Sequence, residues 1–203
     1  MTEVVRTAIG PDVRLRTHRS LDERLFVRWP WTYVALARAV LLLPPRSRLR
    51  RAMLRRSALS GWAAWSRRDL DLMLVRAAFE HELEQPAELV GAGLPPSYRG
   101  HRGFRDFDAD AHEAWERMDT TPVEIVDAGD RSVILGHLRT RARGSGVELD
   151  TPFAQAMSLE RGLIVRSRIS YNWDEALRAA GIPADAPGHL DLATDAGSAA
   201  APD

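Results

Sequence analysis

The strongest constraint on the fold is the alternation of apolar and polar side chains along three stretches of the second half of the chain. These stretches are residues 132–143, 147–159 and 163–173. A period of two residues is typical of β-strands that bury one face. Gly144-Ser145-Gly146 and Glu160-Arg161-Gly162 separate the stretches, and short glycine-containing segments favour hairpin turns. The pattern therefore predicts an antiparallel meander.

The turn at Ser145-Gly146 sets the expected register of the first hairpin. With a two-residue loop, Arg143 lies opposite Glu148, which pairs opposite charges on the outer face. The same register places Gly136 opposite Gln155 on the inner face. Because glycine has no side chain, we expect this position to leave space for a ligand.

An earlier strand is predicted at residues 79–85, where the alternation is again regular. One face carries three glutamates and is expected to contact water. The other face is expected to point into the core and consists of Phe79, His81, Leu83 and Gln85.

Apolar side chains at helical spacing predict helices on both sides of this strand. The predicted helices are 47–65, 70–77, 103–118 and 174–180, with Asp69 capping the second and Asp174 the fourth. Helices gathered on one face of a curved antiparallel sheet form an α+β fold. We expect the sheet to wrap on the helical layer as a cone whose internal cavity is the natural place for a small molecule.

The remaining segments predict the domain organisation. Residues 1–20 contain few large apolar side chains and are predicted to be disordered, as is the tail at 183–203. Residues 21–45 predict an apolar helical extension, which needs a partner surface on the main domain at 46–182, on a second subunit or on a membrane; we favour protein. Its most apolar part, 31–43, is shorter than a membrane span of ~20 residues. With no export signal visible, we expect a cytoplasmic location.

Composition narrows the chemistry that is available. The 203 residues include no cysteine, which excludes disulfides, thiolate zinc sites and cysteine nucleophiles. All 28 basic residues are arginines, and residues 1–68 hold 15 of them against four acids. Such a segment can bind nucleic acid or an anionic membrane, but we favour packing against acidic parts of the chain or of a twin subunit. We expect no metal and no cofactor.

Several motifs occur in an order and spacing that resemble a known family. They are Ser60-Gly61-Trp62, Arg68-Asp69-Leu70-Asp71, and the segments 98–103, 125–131, 141–148 and 159–165. On these motifs, residues 47–182 resemble a SnoaL-like domain of the nuclear-transport-factor-2-like superfamily. That superfamily includes polyketide cyclases, ketosteroid isomerases, epoxide hydrolases and members with no known reaction. The resemblance therefore implies the fold rather than one reaction.

The resemblance also implies positions for catalytic residues, and this chain departs from them. Ketosteroid isomerases have a general-base Asp near the end of the first strand, a protonated Asp before the last hairpin and a Tyr in the first helix. The matching positions here are Gln85, Gln155 and the neighbourhood of Gly61. Because an amide is neither a base nor an acid at neutral pH, we do not expect that mechanism.

The candidate site residues lie mostly on the predicted inner faces. We expect His81 and Tyr171 to be catalytic, because an imidazole exchanges protons near neutral pH and a phenol can donate to a carbonyl. A core histidine and a structural tyrosine are the alternatives. The ligand-binding candidates, for which ordinary core packing is the alternative, are Trp62, Trp65, Leu83, Gln85, Trp115, Gly136, Phe153 and Gln155.

Two functions are consistent with these residues. The first is a SnoaL-like domain that binds an apolar, oxygenated small molecule, acting as an isomerase, cyclase or hydrolase by general acid–base chemistry. The second is a non-catalytic dimerisation or adaptor module whose cavity is filled by its own side chains. We expect a homodimer in either case.

Overall fold

A computed structural model describes residues 3–10, 13, 15–91 and 93–183. The first half contains β1 (Val5–Ala8), α1 (Leu21–Arg28), α2 (Pro30–Leu41), α3 (Arg48–Ser66), α4 (Leu70–Leu74), β2 (Ala77–Glu84), α5 (Ala87–Gly91) and β3 (Ser97–Arg99). The second half contains α6 (Gly100–Ala114), β4 (Trp115–Asp127), β5 (Arg131–Ala142), β6 (Glu148–Glu160), β7 (Leu163–Ser170) and α7 (Trp173–Ala179). The predicted α+β fold class is confirmed.

The seven strands form one curved, unclosed sheet in the order β1-β4-β5-β6-β7-β2-β3. The consecutive strands β5 to β7 pair antiparallel, as the predicted meander requires, and β4 pairs antiparallel with β5. The pairing of β2 with β7 is parallel, which the expectation of a wholly antiparallel sheet missed. The elements α5, β3 and α6 separate β2 from the meander along the chain, so β2 joins the sheet through a long connection rather than a hairpin.

The hairpin of β5 and β6 is displaced by two residues from the predicted register. Arg141 lies opposite Glu148, and the loop is longer because Ala142 N donates to Val147 O. A shift of two residues keeps every side chain on its predicted face. It moves the partners, however, so Gly136 lies opposite Phe153 rather than Gln155.

Helix α7 shields the outer face of β5 and β6 from solvent near one end of the two strands. Helix α7 packs on it, and the shared core there contains Val133, Leu135, Ala154, Ala156, Ala176 and Leu177. Asn172 rather than Asp174 caps α7, since its side chain accepts from Glu175 N at 3.0 Å. Trp173, predicted on the strand, begins the helix and donates to Gly136 O and Phe153 O at 3.1 Å.

The segment predicted to be disordered at 1–20 contains a strand. β1 pairs antiparallel with β4, and Val5 lies opposite Asp127. Ile9, directly after the strand, is buried. Four residues carry too little alternation to be recognised, and their order comes from the free edge of β4. The predicted tail lies outside the described residues beyond Pro183.

The apolar extension packs on the rest of the chain, as we favoured. Phe26 of α1 is buried in a cluster with Ala64 of α3 and Leu72 of α4. Ala37 of α2 lies so close to Gly162, in the turn between β6 and β7, that a β-carbon on the glycine would meet it at 3.0 Å. Within the described residues, no helix is both long enough and apolar enough to cross a bilayer.

A buried arginine fixes the end of this extension. Arg50 of α3 makes two hydrogen bonds of 2.7 and 2.8 Å to the Asp127 carboxylate. It also donates to the carbonyls of Leu41 and Leu43 at 2.9 and 2.8 Å, and to that of Gly129. One guanidinium therefore ties the end of α2, helix α3 and the β4–β5 turn together, and the Asp127 carboxylate compensates its positive charge in the interior.

Candidate ligand-binding site

A cavity of about 240 Å³ lies between the inner face of the sheet and the helices α2, α3 and α6. Its walls are mainly aliphatic, aromatic and methionine side chains. Helix α2 contributes Tyr33, Leu36 and Val40, so the N-terminal extension forms part of the wall. An apolar cavity with a few polar groups is the usual form of a small-molecule site.

Eight of the ten predicted site residues line this cavity. They are Trp62, Trp65, His81, Leu83, Gln85, Phe153, Gln155 and Tyr171. Trp62 contacts Phe153 edge-on at 5.3 Å between centroids, and Trp65 stacks on Phe107 at the same separation. The glutamates of β2 point away, as the strand alternation predicts.

Phe79, Trp115 and Gly136 do not line the cavity. The pairing of β2 with β7 is irregular between Ala77 and Glu82, and Phe79 in this bulge is 79% exposed. Trp115 starts β4 instead of continuing α6 and lies outside the wall. A β-carbon on Gly136 would meet Thr121 O at 2.5 Å, so this glycine allows close approach of β4 and leaves no space for a ligand.

His81 is buried on the inner face of β2, and its Nε2 lies 2.7 Å from Ser167 Oγ of β7. Burial lowers the pKa of its imidazole to about 4, and the nearby His101 acts in the same direction against a weaker effect of Glu82. The ring is therefore neutral at pH 7. It can donate or accept a hydrogen bond, but it is a weak base there.

Gln85 carries unpaired polar atoms at the end of β2. Its side chain is buried, and neither Oε1 nor Nε2 has a hydrogen-bond partner among the described protein groups. Trp62 Nε1 and Thr120 Oγ1, also on the cavity wall, are likewise buried without a hydrogen-bond partner among these groups. Since buried polar groups are nearly always paired, these atoms are available to a bound molecule.

Tyr171 follows β7 and faces the same cavity. Burial raises the pKa of its hydroxyl to about 12, with a smaller contribution from the Glu88 carboxylate. The phenol therefore stays protonated at physiological pH and can donate a hydrogen bond.

Arg76 is a wall residue that the sequence analysis missed. It lies between α4 and β2, is buried, and contacts Ser57 and Ser60 of α3. The only sequence signal is a lone arginine in the apolar segment 72–78. The part of the chain that the structure describes contains no group of three or more acidic or histidine side chains placed to hold a metal.

The SnoaL-like domain family matches residues 60–167, just over half of the sequence. The chain belongs to this family. The family match includes His81, Gln85 and Gln155 and ends at Ser167, while Tyr171 and the extension lie outside it. The resemblance deduced from the sequence motifs is thereby confirmed.

Solved structures of low sequence identity share the fold of this SnoaL-like domain. One is TerC co-crystallised with polyporic acid, with 22% identity over 62% of this chain and 95% of TerC and a TM-score of 0.53. Another is an NTF2-like protein of unknown function from Burkholderia pseudomallei K96243, with 24% identity, the same coverage of both chains and a TM-score of 0.54. No curated protein sequence matches the chain significantly.

Proposed function

We propose that this SnoaL-like domain binds an apolar, oxygenated small molecule in its cavity. The observation that carries the proposal is the buried amide of Gln85, which lies in an apolar wall and has no hydrogen-bond partner among the residues that the structure describes. A ligand carbonyl or hydroxyl would pair with this amide, while its hydrocarbon body would contact Trp62 and Phe153. Such a ligand satisfies the polar atoms and buries apolar surface at once.

A structural relative supports small-molecule binding at the level of the fold. TerC was crystallised with polyporic acid, and it shares this fold at 22% identity. The cavity of the present chain keeps about 240 Å³ that its own side chains do not fill. This space favours ligand binding over the alternative of a non-catalytic module whose cavity is filled by side chains.

Isomerase, cyclase or hydrolase chemistry in this cavity would depend on His81 as the proton carrier. The described cavity wall includes no aspartate or glutamate that could act as the base instead. With a pKa of about 4, His81 is a hydrogen-bonding group at pH 7 and a general base of low strength. Tyr171 would donate to a carbonyl and stabilise developing negative charge.

The test compares two alanine variants of the same strand. We expect Gln85→Ala to weaken binding of 2-acetonaphthone, a neutral aromatic ketone, by about three- to tenfold, the usual contribution of one hydrogen bond. Glu80→Ala, on an exposed part of β2, is the matched control and should leave the affinity unchanged. Isothermal titration calorimetry measures both variants, and the proposal is contradicted if the unmodified protein binds neither this ketone nor the corresponding acid, 2-naphthoate, saturably.

A dimerisation role is the second candidate, and exposed apolar side chains of the extension favour it. Trp31 is 69% exposed and Leu42 is 86% exposed. Burying these side chains against a second copy of the chain would remove apolar surface from water. Light scattering on the full chain and on a Trp31→Ser, Leu42→Ser variant tests this, and a monomeric unmodified protein would contradict it.

The cytoplasmic location stays a prediction.

A further inference from the structure

Arg76 places a single positive charge on the cavity wall. Among the lining residues that the structure describes, it is the one side chain that is permanently charged. His81, the other ionisable base of the wall, is neutral at pH 7. The described wall of the cavity therefore carries one net positive charge at neutral pH, that of Arg76.

The contacts of Arg76 are with neutral groups. Its Nη1 donates to Ser57 O at 2.5 Å and to Ser57 Oγ at 3.2 Å, and its Nη2 donates to Ser60 Oγ at 2.7 Å. The guanidinium carbon lies 5.6 Å from the ring centroid of Tyr33. Its Nε–H is buried and has no acceptor among the described groups. Within the same residues no carboxylate lies in ion-pair contact with Arg76.

The acidic residue behind Ser60 is already engaged. Glu23 accepts hydrogen bonds from the Ser60 hydroxyl and from Ser20 N, and it forms an ion pair with Arg67 at 3.0 Å. It reaches Arg76 only through the Ser60 hydroxyl. Arg50 shows the contrast, because its buried guanidinium holds the Asp127 carboxylate directly.

A buried charge without a counter-ion is unfavourable, and an anion in the cavity would compensate it. Resting on the proposed function, we infer that the ligand is an apolar molecule with a carboxylate or similar anionic oxygen that pairs with Arg76. Trp62 Nε1, a second unpaired donor of the wall, is a further partner for an acceptor atom. The hydrocarbon part of the ligand would lie along the aromatic wall.

The experiment compares two probes of similar shape, 2-naphthoate and 2-acetonaphthone, which differ in charge. On the unmodified full chain at pH 7.5, we expect 2-naphthoate to bind at least about tenfold more tightly, as charge-assisted hydrogen bonds are the stronger ones. Arg76→Gln should bring the two affinities close together. Arg102→Gln, at an exposed position of α6, is the matched control and should keep the preference.

The outcomes separate this inference from the proposed function. Binding of 2-acetonaphthone as tightly as 2-naphthoate by the unmodified protein overturns the inference alone, as does a preference that survives in Arg76→Gln. Failure of both probes to bind contradicts both proposals. If circular dichroism shows that Arg76→Gln does not fold, Arg76→Lys carries the test. It keeps the charge, so equal affinities for the two probes in that variant overturn the inference.

Discussion

Acidification should destabilise the protein through His81 before most carboxylates are protonated. The unfolded chain binds a proton at this ring with an ordinary pKa near 6.5, whereas the folded chain does so only near pH 4. Between these values the unfolded state holds the extra proton, so stability falls as the pH falls. At 1.36 kcal/mol per pKa unit, the full difference is about 3 kcal/mol. Above pH 6.5 the contribution no longer changes with pH.

Urea unfolding at pH 7.5 and at pH 4.5 measures this loss. His81→Gln removes the titrating ring, so its free energy of unfolding should decrease by about 2–3 kcal/mol less over this interval than that of the unmodified protein. His18→Gln, at an exposed position outside the cavity wall, is the control and should lose as much stability as the unmodified protein. Because all three proteins share the same carboxylates, their protonation cancels in the comparison. An equal pH-dependent loss in His81→Gln and in the unmodified protein would show that burial does not lower the pKa of His81.

Two further substitutions test the fold. Arg50→Met leaves the buried Asp127 carboxylate without its ion-pair partner and should lower the free energy of unfolding by about 3–5 kcal/mol. Arg56→Met, at the exposed pair with Asp22, should lower it by about 1 kcal/mol or less. Equal losses of the two variants in urea unfolding would contradict the buried ion pair of Arg50 and Asp127. Gly136→Ala forces a β-carbon against the β4 backbone, so it should lower the free energy of unfolding by about 1–3 kcal/mol and the melting temperature with it. Gly91→Ala, with open space around the added carbon, should leave the melting temperature unchanged. A melting temperature unchanged by Gly136→Ala would show that β4 and β5 are not in such close contact.

The faces of the long strands could be predicted from the sequence alone. Successive side chains of a strand point to opposite sides whichever strand lies beside it, so local alternation is sufficient. Leu83 and Gln155 reached the cavity wall for this reason, although the β5–β6 register was wrong by two residues. An error of one residue would have turned the whole set outward.

Loop length and element boundaries limited the site prediction. The two-residue loop assumed for the hairpin placed Gly136 opposite Gln155, whereas the longer loop places it opposite Phe153. Trp115 fits the apolar pattern of the preceding helix, yet the chain changes to a strand at this residue. Both errors concern positions where neighbouring patterns meet, and local periodicity does not define the boundary there.

Long-range contacts account for the features that the sequence did not reveal. The strand β1 depends on pairing with residues about 120 positions away, and α2 reaches the cavity by packing near the β6–β7 turn. Arg76 is defined by its contacts with α3, which no local pattern indicates. The Arg76 charge on the cavity wall could therefore be found only once the helices were placed on the sheet.

The methionines provide the most direct measurement of ligand binding in the cavity. Four of the five methionines line it, namely Met53, Met73, Met118 and Met157, and Met1 lies outside the described residues. In a methyl-labelled sample titrated with 2-acetonaphthone, we expect the NMR signals of these four methyl groups to shift together with one dissociation constant, while the Met1 signal does not follow them. Four unchanged cavity signals at saturating probe concentration would contradict it.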